Sequence, residues 1–276
     1  MKKAISLFLV LTSLLFQAQV FLYSGNKPYV KADLYLEDGS IKSGYLQNFK
    51  TPKLTEIQAG FLHGIEKKLN YLVKEFKFKE EKSSTLQIIP IEDVKRIILT
   101  DSNGNDQLTY DKMKLKTVNV KGELIDVEKT VVLPLEQEGK FNLYGINLSF
   151  TQNNRYTNSM YLPYIKKPND EYGIILIDIN RINLFNLGKI DDKIKTGLLA
   201  ISNDCPNYQK DIDSEMKTFE NEVVEYRREG NKKKNQARKD IKDKNQENLM
   251  AIKIDYDYAI KPYLNLMNRF YEKCTP

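Results

Sequence analysis

From Val30 the hydrophobic positions recur with a period of two. Ala32, Leu34 and Leu36 alternate with Asp33, Tyr35 and Glu37, Asp38-Gly39 supplies a turn, and Ile41 to Phe49 returns, the pattern of a β-hairpin. The alternation resumes over 71–79, with Phe76 and Phe78 on one face, and continues over 85–90. Ile91-Glu92-Asp93-Val94 reads as a tight connection into a short β-branched strand at 95–100. Asn103-Gly104, between Ile97-Leu99 and Leu108-Tyr110, is a strong hairpin signal. Further strands are predicted at 114–120, 124–133, 140–144, 146–151, 160–165 and 172–178, punctuated by Gly122, Gly139 and Asn153-Asn154. No helical period separates these neighbours, so the spacing predicts a mainly antiparallel sheet, barrel or sandwich and not βαβ units. The stretch 51–68, with Pro52, Gly60 and Gly64, is ambiguous and allows a short helix near 65–70, and 181–187 is equally undecided.

The period then changes. Ile190, Ile194, Leu198 and Ile201 fall on one helical face, and Asn203 or Asp204 as N-cap, with Pro206 in the first turn, starts a second helix. Its seam is Tyr208, Ile212, Met216, Phe219, Val223 and Tyr226. A third seam follows a polar, basic, Gly-containing stretch and runs through Leu249, Ile252, Tyr256, Ala259, Tyr263, Leu266, Phe270 and Cys274. Joined by a turn, the last two helices fold back antiparallel, which brings Cys205 at the start of one beside Cys274 at the end of the other. Pro262 inside the last seam predicts a kink or a break near Ile260. The fold class is therefore α+β: a β-rich region over 20–187, divisible into a small barrel at 30–120 and a second sheet at 121–187, and then a helical region with a long hairpin over 188–276.

Lys2 and Lys3 followed by the 13 apolar residues Ala4 to Phe16 read as an export signal spanning 1–19, since about 20 residues are needed to cross a bilayer. An uncleaved anchor extended through Val20-Phe21-Leu22 is the alternative, and no cysteine follows the apolar run to carry a lipid. Export to a periplasmic or extracellular compartment permits a disulfide between the two cysteines, Cys205 and Cys274. Two separate buried thiols are the competing reading. A metal site fits worst, because only His63 could join the two sulfurs.

The net charge of +6 is concentrated in one place. Between Arg227 and Glu247 nine cations, Arg227, Arg228, Lys232, Lys233, Lys234, Arg238, Lys239, Lys242 and Lys244, face four acids, a net of +5. Such a patch suits a polyanion: an anionic polymer, a lipid head group or nucleic acid. Its contact residues would be Arg227, Arg228, Lys232, Lys233, Lys234, Arg238 and Lys239. It lacks the interleaved aromatics and groove-reading motif of a specific nucleic-acid reader, and a solvated helical tip is the plainer reading.

Catalytic signals are sparse. The chain has one histidine, His63, which reads as structural, and no nucleophile elbow, phosphate-binding loop or dinucleotide fingerprint. Asp101, Asn103 and Asn105 have the alternate spacing of a calcium loop, but Asp106 stands where its glycine belongs and Lys112 where its bidentate acid belongs. Paired carboxylates of a hydrolase are assembled in space and remain an alternative. Tyr156, Tyr161, Tyr164 and Tyr172 around Lys166 and Lys167 suggest a stacking surface for a sugar or peptide, against which stands the suitability of tyrosine for half-buried strands.

Phe16-Gln17-Ala18-Gln19, Leu36-Glu37-Asp38-Gly39, Ser43-Gly44-Tyr45-Leu46, the Ile89 to Ile97 segment, Gly139 to Tyr144 and Asp204-Cys205-Pro206 together resemble exported proteins of unknown function common in Bacteroidota. The resemblance implies secretion and a β-then-α layout, and nothing catalytic. The expectation is an exported, non-enzymatic binding or assembly module of the cell envelope, with an envelope or extracellular partner, no cofactor, no metal and no transmembrane helix once the signal is removed. N-terminal sequencing of secreted material is expected to find a chain beginning near Gln19 or Val20; material beginning at Met1 would contradict this.

Overall fold

The computed structural model describes residues 29–47, 54–58, 73–100, 107–119, 121–152, 155–178 and 190–274. Its strands are β1 (Tyr29–Leu36), β2 (Ile41–Gln47), β3 (Leu54–Gln58), β4 (Glu75–Lys79), β5 (Gln87–Pro90), β6 (Val94–Thr100), β7 (Gln107–Val118), β8 (Leu124–Gln137), β9 (Asn142–Gln152), β10 (Arg155–Lys166) and β11 (Tyr172–Ile175). Three helices follow, α1 (Ile190–Ile201), α2 (Pro206–Asp240) and α3 (Lys244–Cys274). The α+β expectation holds.

The 11 strands form one sheet in the order β11-β10-β9-β8-β7-β6-β1-β2-β4-β5, with β3 beside β9. β7 is laddered to β6 on one edge and to β8 on the other, so the sheet passes without interruption from 30–120 into 121–187. β7 merges 108–110 with 114–120, and β9 merges 140–144 with 146–151. Gly145 marks no turn. A Cβ there would stand 2.0 Å from the Tyr161 hydroxyl, so the glycine lets an aromatic side chain lie across the strand. β3 lies in the stretch the sequence left ambiguous, and pairs parallel with β9 over the part of its edge that β8 does not occupy. The short helix near 65–70, His63, the loop at 101–106 and the segment 181–187 lie outside the described residues.

The sheet curls in two senses. On one face Ala32, Leu34, Leu46, Phe76, Phe78 and Ile97 pack with Leu108, Tyr110 and Val132. On the opposite face Met113, Leu115, Val131, Leu133, Ile146 and Leu162 fill the inside of a ring of five strands, β7 to β11, closed where β11 pairs parallel with β7. Neighbouring residues of β7 serve different cores, Tyr110 the first and Asp111 the mouth of the second, because side chains alternate across a strand. β8 carries a bulge where its register shifts opposite Lys114 to Lys116, and Glu128 sits there at φ 52°. Bulges bend and twist a strand, which here helps the ring to close.

A third core lies between the outside of the ring and the helices. α3 rests on the ring through Phe270 against Phe141, just before β9 (ring centroids 4.2 Å apart), and Tyr263 against Tyr161 of β10 (5.4 Å), and α2 packs over it through Tyr208 and Phe219. The hairpin closes as expected: Cys205 and Cys274 form a disulfide with Cα atoms 5.3 Å apart. Cys205 itself takes the N-cap position with no side-chain cap, in place of Asn203 or Asp204, while Asp204 instead approaches Lys167 at 3.4 Å. The break near Ile260 does not occur. α3 runs unbroken from Lys244 to Cys274 with Pro262 buried inside it, where packing on both sides outweighs the lost ladder bond. Among the described residues no helix is long and apolar enough to cross a membrane.

Replacing both cysteines with alanine is expected to lower stability by about 4 kcal/mol, since the bridge closes a loop 69 residues long, with the helical far-UV signal retained in the folded state. Glu128→Val is expected to cost about 1–2 kcal/mol in denaturant unfolding, because a β-branched residue resists positive φ, while Glu128→Gly is expected to cost nothing.

Candidate binding sites

α2 and α3 are zipped along their length by polar contacts spaced mostly one helical turn apart. Starting from the disulfide, Asp211 and Glu215 accept Lys273 (2.7 and 2.8 Å), and Glu215 and Glu222 both accept Arg269 (2.6 and 2.8 Å). Next, Asn265 donates to Tyr226 (3.0 Å), and Gly230 lets Tyr258 approach so closely that a Cβ there would stand 3.2 Å from that of the tyrosine. Lys234 then meets Asp255 at 2.6 Å and Arg238 meets Glu247 at 3.6 Å. Burial works to raise the Glu215 carboxyl, but hydrogen bonds from Lys273 and Arg269 outweigh it and hold the group below the ordinary carboxylate range. Glu215 and Glu222 thus share one guanidinium, with Lys273 supplying the second positive charge at Glu215, a structural clamp and not an acid-base pair.

The basic stretch is helical. α2 continues to Asp240, leaving only Ile241, Lys242 and Asp243 between the helices. Its Lys, Arg, Gln and Ala residues are good helix formers, and Gln236 bonds Asp240 one turn on at 2.9 Å. Of the seven cations named from sequence, Lys234 and Arg238 face α3 and are spent on Asp255 and Glu247. Arg227, Arg228, Lys232, Lys233 and Lys239 are exposed and have no ion-pair partner among the described residues. Arg228, Lys232 and Lys239, with Asn235 between them, repeat at i, i+4, i+7 and i+11 on the side of α2 turned away from α3, a straight stripe with a charge about every 6 Å where the step is four.

A second polar cluster closes one end of the five-stranded ring. Register places Arg96 opposite Asp111, and Asn142 opposite Lys166, all on the face that lines the ring. Asp111 receives Arg96 through Nε at 2.5 Å and Nη2 at 3.0 Å, and the Tyr144 hydroxyl at 2.7 Å. Asn142 donates to Tyr144 at 3.1 Å and accepts the Gly139 amide at 3.1 Å. Burial and the Asp111 charge push the Tyr144 phenol well above its ordinary value, so it stays a donor. Lys166 sits beside this network, 8% exposed. Sequence reasoning missed the network because Asp111 and Arg96 look like ordinary surface charges along a strand; the one signal was an acid at the position that continues, two residues apart, through Met113 and Leu115.

The tyrosines near Lys166 do not form one surface. Tyr161 faces the helices and Tyr164 faces the inside of the ring, both buried, while Tyr172 lies half-buried under Lys116 at 4.1 Å. At neutral pH Glu215→Gln is expected to cost about 1–3 kcal/mol. Because the folded carboxyl titrates below its unfolded value of 4.5, its contribution is present above that value and is lost as pH falls through the folded one. The difference between wild type and variant in urea unfolding is therefore expected to shrink between pH 7 and pH 3; an undiminished difference would contradict the clamp. No protein-family profile, curated protein or solved structure matches this chain.

Proposed function

We propose that the protein is an exported, non-enzymatic binding module that engages a polyanion through the outer stripe of α2. The observation that carries this reading is the sorting of charge along α2. Cations on its inner side are consumed by Asp255 and Glu247, whereas Arg228, Lys232 and Lys239 repeat on the outer side without ion-pair partners among the described residues. A helix fixed at one end by a disulfide and along its length by ion pairs holds such charges in place before a ligand arrives, which reduces the ordering cost of binding. Export is supported by the signal-like start and by the disulfide, which suits an oxidising compartment. The stripe contains no aromatic residue, so contact is electrostatic and indifferent to sequence.

The test is binding of the mature chain to long-chain polyphosphate across a salt series. Affinity is expected to fall steeply as salt rises, and Arg228→Gln, Lys232→Gln and Lys239→Gln together are expected to reduce the slope of log affinity against log salt by about 2–3. Lys234→Gln, which removes an inner cation, is expected to change stability more than slope. Binding that ignores salt, or a slope unchanged in the triple variant, would overturn the proposal.

A further inference from the structure

Lys166 presents an unbalanced arrangement at the mouth of the ring. The residue is 8% exposed, yet its ammonium finds a single hydrogen-bond acceptor among the described residues, the Pro168 carbonyl at a long 3.4 Å. Asp111, the acid facing it across the mouth, is already engaged: Oδ1 accepts Arg96 Nε, and Oδ2 accepts both Arg96 Nη2 and Tyr144 Oη. A lysine ammonium has three protons to donate, and one held out of water with a single distant acceptor is costly. Burial pushes the Lys166 ammonium below its ordinary value, and although Asp111 and Asp170 counter this, Arg96 and Lys95 reinforce it. Two more cations thus lie within electrostatic reach of a lysine whose one hydrogen-bond acceptor among the described residues is the distant Pro168 carbonyl.

We infer that the ring mouth is a binding site for a small oxyanion, a carboxylate or phosphate group, held by Lys166 Nζ and the partly exposed Arg96 guanidinium. Among the described residues Arg96 uses Nε and Nη2 on Asp111, with the exposed Glu138 carboxylate 3.8 Å from Nη2, and leaves Nη1 for a ligand, while its side chain is 37% exposed and so within reach from solvent. The inside of the ring cannot take more than this end group. Met113, Leu133, Leu162 and Tyr164 are each 2% exposed or less and fill it, so the body of any ligand must lie outside the mouth. The Asp111–Tyr144–Asn142 chain of bonds gives this floor a fixed shape. The site is separate from the α2 stripe, and neither reading depends on the other.

The experiment is thermal unfolding of the mature chain with sodium phosphate, sodium acetate or sodium chloride added at matched ionic strength. Phosphate or acetate is expected to raise the midpoint by about 3–6 °C at ten times its dissociation constant, with chloride as baseline. Lys166→Met is expected to abolish this rise, Lys166→Arg to keep it, and the Arg228→Gln, Lys232→Gln, Lys239→Gln variant to keep it. A response to phosphate alone assigns a phosphoryl group and a response to both a carboxylate-sized pocket. No response to either, or a rise undiminished in Lys166→Met, overturns the site. Should Lys166→Met not fold, the same judgement falls on Lys166→Gln.

Discussion

One helix holds the molecule together by being packed on two sides. α3 sets Phe270 between Phe141, just before β9, and Tyr208 of α2, and Tyr263 between Tyr161 of β10 and Phe219 of α2. Each of these ring pairs lies within the distance at which aromatic contacts add to simple burial. The disulfide and the Glu215–Arg269–Glu222 clamp act on the same end of the hairpin. Everything further along α2, including its charged stretch, is positioned as an extension of that anchored end.

The sheet solves a different problem. Eleven strands in one open twisted layer leave long exposed faces, and here the layer bends one way around Leu34, Phe76 and Phe78 and the other way into a closed ring. β7 is the hinge between the two curls, and it carries a buried acid, Asp111, at the point where its side chains change allegiance. A buried carboxylate survives there because Arg96 and Tyr144 complete its hydrogen bonds. The same completeness leaves Lys166, among the described residues, with no salt bridge and one distant acceptor, the Pro168 carbonyl.

Much of this was legible in the sequence, and the failures have physical reasons. Period-two runs located most of the strands, and the helical seams located both long helices, because a half-buried strand and a half-buried helix each write their period into the chain. The pairing of Cys205 with Cys274 followed from antiparallel return of the two helices, from these being the two cysteines of the chain and from an expected oxidising compartment. The strands expected at 140–144 and 146–151 are one strand, because Gly145 between them admits a neighbouring ring and not a turn. Pro262 was misread as a break because propensity is local, whereas α3 is held from two sides. The basic stretch was read as the connection between helices because it has no apolar seam, yet it is the last third of α2, kept helical by good helix formers and by Lys234 and Arg238 reaching α3. Strand pairing, the parallel closure of β11 on β7 and the Asp111 network all join residues far apart in the chain, and no local pattern carries them.

Charge sorting along α2 therefore rests on that stretch being helical before anything binds. Amide hydrogen exchange of the free mature chain, followed by mass spectrometry over 227–240, tests this most directly. The account predicts slowed exchange continuing from the disulfide end past Lys234 to the last turn of α2, in the absence of any polyanion. Exchange at the rate of an unstructured peptide throughout 227–240 would contradict it.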